Sequence, residues 1–426
     1  MNITKLKRQL QGGSLDERLI SIYGTDALNM QKERYAKALD SFAEIYGVER
    51  EVELYSVAGR SELSGNHTDH NRGCVIAASI DLDIIAVASP NEENCIRIKS
   101  EGFEEDVVNL NQFTSPRQKP LGHSDELIAG VADGFRKYGY QIGGFDAYTT
   151  SNVLKGSGLS SSAAFEDMVG NILNYVYNDG KIDNVEIAKI AQYAENVFFG
   201  KPSGLMDQVA CAVGGIVAID FKDPTAPVVE PIAFDINAAG YNLCIVSTGG
   251  NHADLTDDYA SVPFEMKSIA SFFGKQFLRD VDQEDVIASI PLLRTHFGDR
   301  AILRALHFFA ENKRVSLQKS ALLTGNLDAF FENVIASGRS SFCYLQNVYT
   351  TKNVSEQGLS LALSLSERLL AGKSGAWRVH GGGFAGTIQA FVPTHLVENY
   401  RRTMDAAFGN GSCMVLRIRP VGAIKI

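Results

Sequence analysis

Two short stretches of the chain carry residue types that do chemistry. Residues 65–71 read GNHTDHN, placing His67, Asp69 and His70 beside the amides of Asn66 and Asn71. That density of imidazole, carboxylate and amide suits a metal, a polar turn or one wall of a substrate pocket. A zinc site would use His67 and His70, three apart, and no third strong ligand group lies nearby in sequence. Residues 151–168 read SNVLKGSGLSSSAAFEDM. Gly156 and Gly158, with Ser157 between them, let backbone approach a ligand closely. Leu159 and three serines, Ser160, Ser161 and Ser162, then lead into a helical pattern. The unpaired N–H groups and positive dipole end of such a helix attract an anion. A serine-capped helix after a flexible loop fits the same string, so both readings stand on these residues alone. The string is neither G-x-x-x-x-G-K-[ST] nor G-x-G-x-x-G. AGKSG at 371–375 approaches the former, but Glu367 occupies its first glycine position.

The elements that must hold these stretches follow from periodicity. Residues 1–50 read as helical with a break at Tyr23–Gly24. Strand patterns follow at EVELYSVAGR and GCVIAASIDLDIIAVAS. In the second, Ser79 to Ile84 alternates polar and apolar, the period of a half-buried strand. A helix is expected around 124–139, with a serine start, early acids and a glycine stop. FDAYTTSNV reads as a strand running into the glycine loop. After it, Phe165, Met168, Val169, Ile172, Leu173 and Val176 recur at helical spacing, as do Ile187, Ala191, Ala194 and Phe198. GGIVAIDF and YNLCIVST read as strands, 255–372 as long helices, and AGTIQAFVP and SCMVLRIRPVGAIKI as strands again. The class is α+β or mixed α/β, with a boundary expected near 240–255.

Composition excludes several classes. With 426 residues, 45% hydrophobic and 21% charged, the chain has ample length for a large core. A net charge of −10 and the absence of a Lys/Arg run argue against nucleic acid as partner. Cys74, Cys95, Cys211, Cys244, Cys343 and Cys413 form no C-x-x-C pair and read as reduced thiols of a cytoplasmic protein. The N-terminus has no apolar signal core, and Asp81 and Asp83 interrupt the longest apolar stretch, so no membrane span is expected.

Four motifs then occur in order: GRSELSGNHTDHNRG (59–73), GSGLSSSAA (156–164), GKPSGLMDQ (200–208) and HGGGFAGT (380–387). Together they resemble the galactokinase branch of the galactokinase, homoserine, mevalonate and phosphomevalonate (GHMP) kinase superfamily. The resemblance implies a two-domain α+β fold: a ribosomal-protein-like N-terminal domain, residues 1–245, whose first 35 residues are a helical extension, and a ferredoxin-like C-terminal domain, residues 246–426. The site would lie in the cleft between them. ATP, Mg2+ and a small-molecule sugar are the implied ligands, in a monomer or homodimer. The implied reaction is transfer of the ATP γ-phosphoryl group to a sugar C1 hydroxyl.

The same resemblance assigns roles. Asp207 corresponds to the catalytic aspartate and Arg60 to its arginine partner. Residues Gly156 to Ser162 correspond to the ATP loop. Ser162 and Glu195, the latter twelve residues before Asp207, correspond to the magnesium contacts. His67, Asp69 and Tyr259 correspond to sugar-binding residues. Asn66 departs from the pattern, because galactokinases carry glutamate there, near the C6 end of the sugar. Asparagine is neutral and offers a donor as well as an acceptor. This points to a substrate modified at C6, with galacturonate the leading candidate. Smaller departures are His70 for tyrosine, Ala58 for proline, Leu154 and Lys155 before the loop, and Thr387 for cysteine. The competing classes are a non-catalytic sugar- and ATP-binding sensor of the same fold, and a kinase for a non-sugar alcohol.

Overall fold

The computed structural model describes residues 1–112, 122–153, 158–201, 203–250 and 255–426. Three helices open the chain: α1 (Ile3–Gln11), α2 (Asp16–Tyr23) and α3 (Leu28–Tyr46). Strands β1 (Glu53–Ser64), β2 (Cys74–Pro90), β3 (Cys95–Ser100) and β4 (Glu105–Asn109) follow. Next come α4 (Ser124–Lys137), β5 (Phe145–Ser151), α5 (Ser161–Tyr177), α6 (Asn184–Tyr193), α7 (Met206–Val213), β6 (Ile216–Asp220) and β7 (Val228–Ile232). The second half holds β8 (Tyr241–Ser247), α8 (Thr256–Phe272), α9 (Gln283–Ala288), α10 (Ile290–Leu323), α11 (Leu327–Ser340) and α12 (Gly358–Leu370). It ends with β9 (Ala376–His380), β10 (Thr387–Pro393), α13 (Val397–Phe408), β11 (Cys413–Leu416) and β12 (Ile424–Lys425). Sequence patterns do not single out β3, β4, β7, β9, α7 or α13. No helix among the described residues is long and apolar enough to cross a membrane.

The first sheet runs β12-β1-β2-β5-β3-β4, and β6 joins β2 and carries β7. Long β2 is its spine. Its first half pairs with β6 (Val75↔Ile219) and its second with β5 (Val87↔Tyr148). Antiparallel β1 lies along its other side. Ile84, Ala86 and Ala88 face α4–α7, in a core with Ile128, Phe135, Val169 and Ile172. Ile85 and Val87 face α1–α3 instead, packing with Leu19, Tyr35, Leu39 and Phe42. The helical extension therefore covers the second face of the sheet. This corrects the expectation of a half-buried β2: of the three polar members of the alternation, Ser79 and Asp83 are fully buried and Asp81 is half-buried. Ser79 Oγ donates to the Ala210 carbonyl at 2.6 Å. Asp83 accepts from Arg34 (2.5 Å), Arg419 (2.9 Å), Tyr23 (2.6 Å) and Ser56. Burial alone would raise its pKa; Arg34 and Arg419 outweigh burial and hold it below the ordinary value. One carboxylate thereby ties the first helices and the C-terminal tail to the sheet.

The second sheet runs β11-β8-β10-β9. Cys244, Val246, Ile388 and Ala390 pack on α12 and α13. Leu243, Ile245 and Phe391 point the other way, into a core with Phe330 and Val334 of α11 and Leu63, Ile76 and Ala78 of the first sheet. The two sheets thus share apolar packing. Strand β12 returns to β1 (Tyr55↔Lys425), so the chain ends on the sheet where it began.

Candidate active site

Arg60 sits inside β1 where the pairing register with β2 shifts between Ala58 and Arg60, and its residue is 7% exposed. Its guanidinium meets the Asp207 carboxylate as a two-toothed fork, Nε to Oδ1 at 2.8 Å and Nη2 to Oδ2 at 2.7 Å. Nη1 donates to the Gly158 carbonyl, and Ser160 Oγ donates to Asp207 Oδ2. The pair therefore joins β1, the glycine loop and the first turn of α7. Burial pushes the Asp207 pKa up; the Arg60 charge and hydrogen bonds and the Ser160 hydroxyl outweigh it and hold the carboxyl below its ordinary value. The Asp207 side chain keeps 31% of its surface exposed, enough for an ionised oxygen to meet a ligand.

Backbone strain gathers here. His67, Ser160 and Phe384 all lie in the left-handed region, at φ 59°, 58° and 59°. Ser160 turns the chain into α5, and the three serines then diverge. Ser160 serves Asp207. Ser161 and Ser162 line a cavity of about 1030 Å³ whose apolar wall includes Ile84, Phe103, Leu127, Val153 and Phe165. Ser162 Oγ also reaches 3.5 Å from Glu195 Oε1. Leu159 is fully buried and acts as an anchor, its carbonyl accepting from the Arg60 amide at 3.2 Å. Gly158 (φ 73°) lies against His380, where a Cβ would meet Nδ1 at 3.4 Å. Gly156 and Ser157, like Lys155, lie outside the described residues.

Glu195 lies in the π-helical turn Ala194–Phe198 that ends α6. Its side chain is 2% exposed. Oε2 accepts from Gln208 Nε2 at 2.9 Å and from Ser203 Oγ. Oε1 accepts from Lys201 Nζ at 2.5 Å and faces Ser162. Gln208 also donates to buried Glu166 at 3.1 Å. Burial, and then the neighbouring Glu195, raise the Glu166 pKa well above the ordinary value. A serine hydroxyl beside a carboxylate oxygen is the hard donor set that suits magnesium.

The remaining assigned residues converge on a second glycine loop, Gly381 to Gly383, which follows β9. Asn66 Nδ2 donates to the Gly381 carbonyl at 2.7 Å, His67 Nε2 to Gly382 at 2.9 Å and Tyr259 OH to Gly383 at 2.9 Å. Three successive carbonyls are thus held by three residues that the sequence assigned to a sugar. Burial, then the neighbouring His70, lowers the His67 pKa to about 4, so the ring is neutral. Its Nδ1 has no partner among the described residues. Asp69 packs against Gly204, where a Cβ would lie 2.5 Å from Oδ2. Its carboxylate makes no closer ion pair among the described residues than His70 at 3.7 Å.

Asn66 requires a correction. It is fully buried, and all its amide positions are used inside the protein. Besides Gly381, Nδ2 donates to Glu62 Oε1 at 3.2 Å. Oδ1 accepts from Asn347 at 2.9 Å and Ser341 at 3.2 Å. With those partners it has no free donor for a ligand, and the direct contact expected of it becomes a positioning role.

Several of these partners escape sequence reading. Glu62, buried, pairs with Arg378 of β9. Asn347 carries the glycine loop, donating also to Gly382 O at 3.1 Å. His380 lies between Ser61 Oγ (3.1 Å) and Thr387 Oγ1 (2.9 Å). Burial, then the Arg60 and Arg378 charges, push its pKa down to about 3. Charged residues in apolar strand patterns, Glu62 and Arg378, were the available signal. Asn347 gives none.

An anion-attracting helix start, an arginine-held aspartate and a glycine loop between two α+β lobes define a small-molecule kinase of the GHMP fold. The match extends to known proteins. Residues 126–215 match the GHMP kinases N terminal domain and residues 40–90 the galactokinase galactose-binding signature. The chain is 30% identical over 370 residues to a galactokinase of Actinobacillus pleuropneumoniae serotype 5b, covering 86% of this chain and 91% of that one. It is 29% identical over 389 residues to the Streptomyces coelicolor galactokinase, covering 89% and 94%. The crystal structure of Lactococcus lactis galactokinase complexed with galactose superposes with a TM-score of 0.77 at 26% identity, covering 92% of this chain and all of that one. A mevalonate kinase structure, 15% identical with a TM-score of 0.58, shares the fold. The chain belongs to the galactokinase family, and it is a sugar kinase, a phosphotransferase.

Proposed function

We propose that this protein transfers the γ-phosphoryl group of ATP to the C1 hydroxyl of galactose or of a galactose modified at C6, with galacturonate the leading candidate. The observation that carries the reading is the Arg60–Asp207 fork beside the start of α5, with Asp207 ionised and part exposed. Asp207 would accept the C1 hydroxyl proton as the oxygen forms its bond to phosphorus and the bond to the departing ADP oxygen breaks. Arg60 keeps the base ionised and stabilises charge on the transferring group. The N–H groups at the start of α5 and the hydroxyls of Ser161 and Ser162 would meet phosphate oxygens. Magnesium, held by Ser162 and Glu195, would neutralise phosphate charge when bound. Asp69 and His67 would grip sugar hydroxyls. The division into residues 1–245 and 246–426 belongs to the same proposal.

The C6 reading now rests on charge. A glutamate at position 66 would set a negative charge against a uronate. Asn66 removes it, and the carboxylate of Glu62 is neutralised by Arg378. Removing one such repulsion at roughly 4 Å changes the interaction by up to about 4 kcal/mol at an effective dielectric near 20. The test is ADP release from Mg-ATP with galactose, galacturonate, glucuronate, N-acetylgalactosamine and L-arabinose. Galacturonate is expected to be used, and Asn66→Glu should shift the kcat/KM ratio toward galactose by about tenfold or more. Robust use of galactose with no uronic acid phosphorylated would remove the C6 reading and leave the kinase.

A further inference from the structure

Glu195 presents only one oxygen to a cation. Oε2 is filled by two neutral donors, Gln208 and Ser203. Oε1 is the oxygen that Ser162 approaches, and it already carries the ammonium of Lys201. The two side chains differ sharply in exposure, 2% for Glu195 against 54% for Lys201. Lys201 is fixed at its backbone, where its N–H donates to the Glu195 carbonyl at 3.0 Å. It follows Gly200, whose φ of 78° turns the chain back over the end of α6. Only the flexible stem and its charge are free to move, and they reach Glu195 from the solvent side.

We propose that Lys201 is a resident counter-ion of the divalent-cation site. It holds the buried Glu195 carboxylate until a cation arrives with the nucleotide, and then moves its ammonium onto a phosphate oxygen. This rests on Glu195 and Ser162 being the magnesium contacts. A divalent cation that uses Glu195 Oε1 and Ser162 must displace the ammonium, because the other carboxylate oxygen is occupied. Without nucleotide, the displaced charge keeps only its weaker attraction to Asp207, already paired with Arg60, and to Glu166, whose pKa is raised, so the exchange is unfavourable. With nucleotide, the polyphosphate supplies the new partner, and Glu195 exchanges one cation for another. Cation and nucleotide therefore bind cooperatively, and the site stays closed to free metal. No bond to phosphorus is made or broken in this exchange.

The test uses the full-length enzyme and counts bound Mn2+ by the loss of its free electron paramagnetic resonance signal. Titrations run without nucleotide and with a non-hydrolysable ATP analogue. Lys201→Met should bind free Mn2+ at least tenfold more tightly than wild type, and should lose most of the analogue's enhancement. Lys201→Arg, which keeps the charge, should behave like wild type. Equal free-Mn2+ affinity in wild type and Lys201→Met, including no detectable binding by either, overturns the proposal. Glu195→Gln separates the two layers. If it leaves Mn2+ binding in the analogue complex unchanged, Glu195 is not a ligand and the underlying reading fails. If it weakens that binding while Lys201→Met changes nothing, only the counter-ion role fails. Circular dichroism of each variant confirms the fold.

Discussion

Asp207 draws its ionised state and its orientation from the same neighbour. Arg60 holds both carboxylate oxygens, which lowers the proton affinity of the aspartate and leaves little rotational freedom. As the proposed base, held below its ordinary value, Asp207 would accept a proton only as the C1 oxygen becomes acidic in the transition state. Asp207→Asn should lower kcat by about 10²–10⁴ with little change in ATP binding, since general-base contributions fall in that range. It should also reduce stability by a few kcal/mol, because the buried Arg60 loses its counter-charge. Rates at saturating substrates, with urea unfolding of the same variant, check both. A variant that keeps near wild-type kcat would place the proton transfer elsewhere. At this scale much was legible. Arg60, Asp207 and Asp69 stand in compact motifs, and Glu195 lies twelve residues before Asp207. The pairings of Glu62, Arg378 and Asn347 were not legible, because they span 281 to 316 residues. The fate of Asn66 was missed for the same reason, since its partners Asn347 and Ser341 come from distant elements.

The elements explain why these side chains meet. Strand β1 brings Arg60, the first turn of α7 brings Asp207, and the glycine loop after β9 is tied down by Asn66, His67 and Tyr259. Gly204 shows how closely two of these pieces approach. An alanine there would place its Cβ 2.5 Å from Asp69 Oδ2 and must push the carboxylate aside. Gly204→Ala should therefore raise the KM for the sugar about tenfold or more while leaving the KM for ATP within about twofold. Initial-rate kinetics with each substrate varied in turn would show it. An equal rise in both would mean that the glycine serves the loop and not the sugar wall. Periodicity located α5, α6 and most strands. It misread β2 as half-buried, because nothing local shows that a sheet will be covered on both faces. The cover comes from α1–α3, and the polar residues left inside find partners far away in sequence, Asp83 in Arg34 and Arg419 and Ser79 in the Ala210 carbonyl.

Across the whole molecule, the two sheets share a core, and titratable groups are sealed within it. His380 is one, neutral because burial and two arginines lower its pKa from 6.5 to about 3. In the unfolded chain it takes a proton below pH 6.5; in the folded chain it does not until about pH 3. Its contribution to stability is thus intact above pH 6.5 and declines as the pH falls through that window, by about 2 kcal/mol at pH 5. His380→Asn lacks this linkage. The stability gap between wild type and variant, from urea unfolding, should shift by about 2 kcal/mol in the variant's favour between pH 7.5 and pH 5. A constant gap would mean that His380 is protonated in the fold. The central claim, phosphoryl transfer from ATP to a sugar C1 oxygen assisted by Asp207, is tested most directly by phosphorus NMR of the product. The account predicts a sugar 1-phosphate, its phosphorus coupled to the anomeric proton, formed from galactose or galacturonate by wild type and lost in Asp207→Asn. A phosphate on any other carbon, or undiminished 1-phosphate from Asp207→Asn, would contradict it.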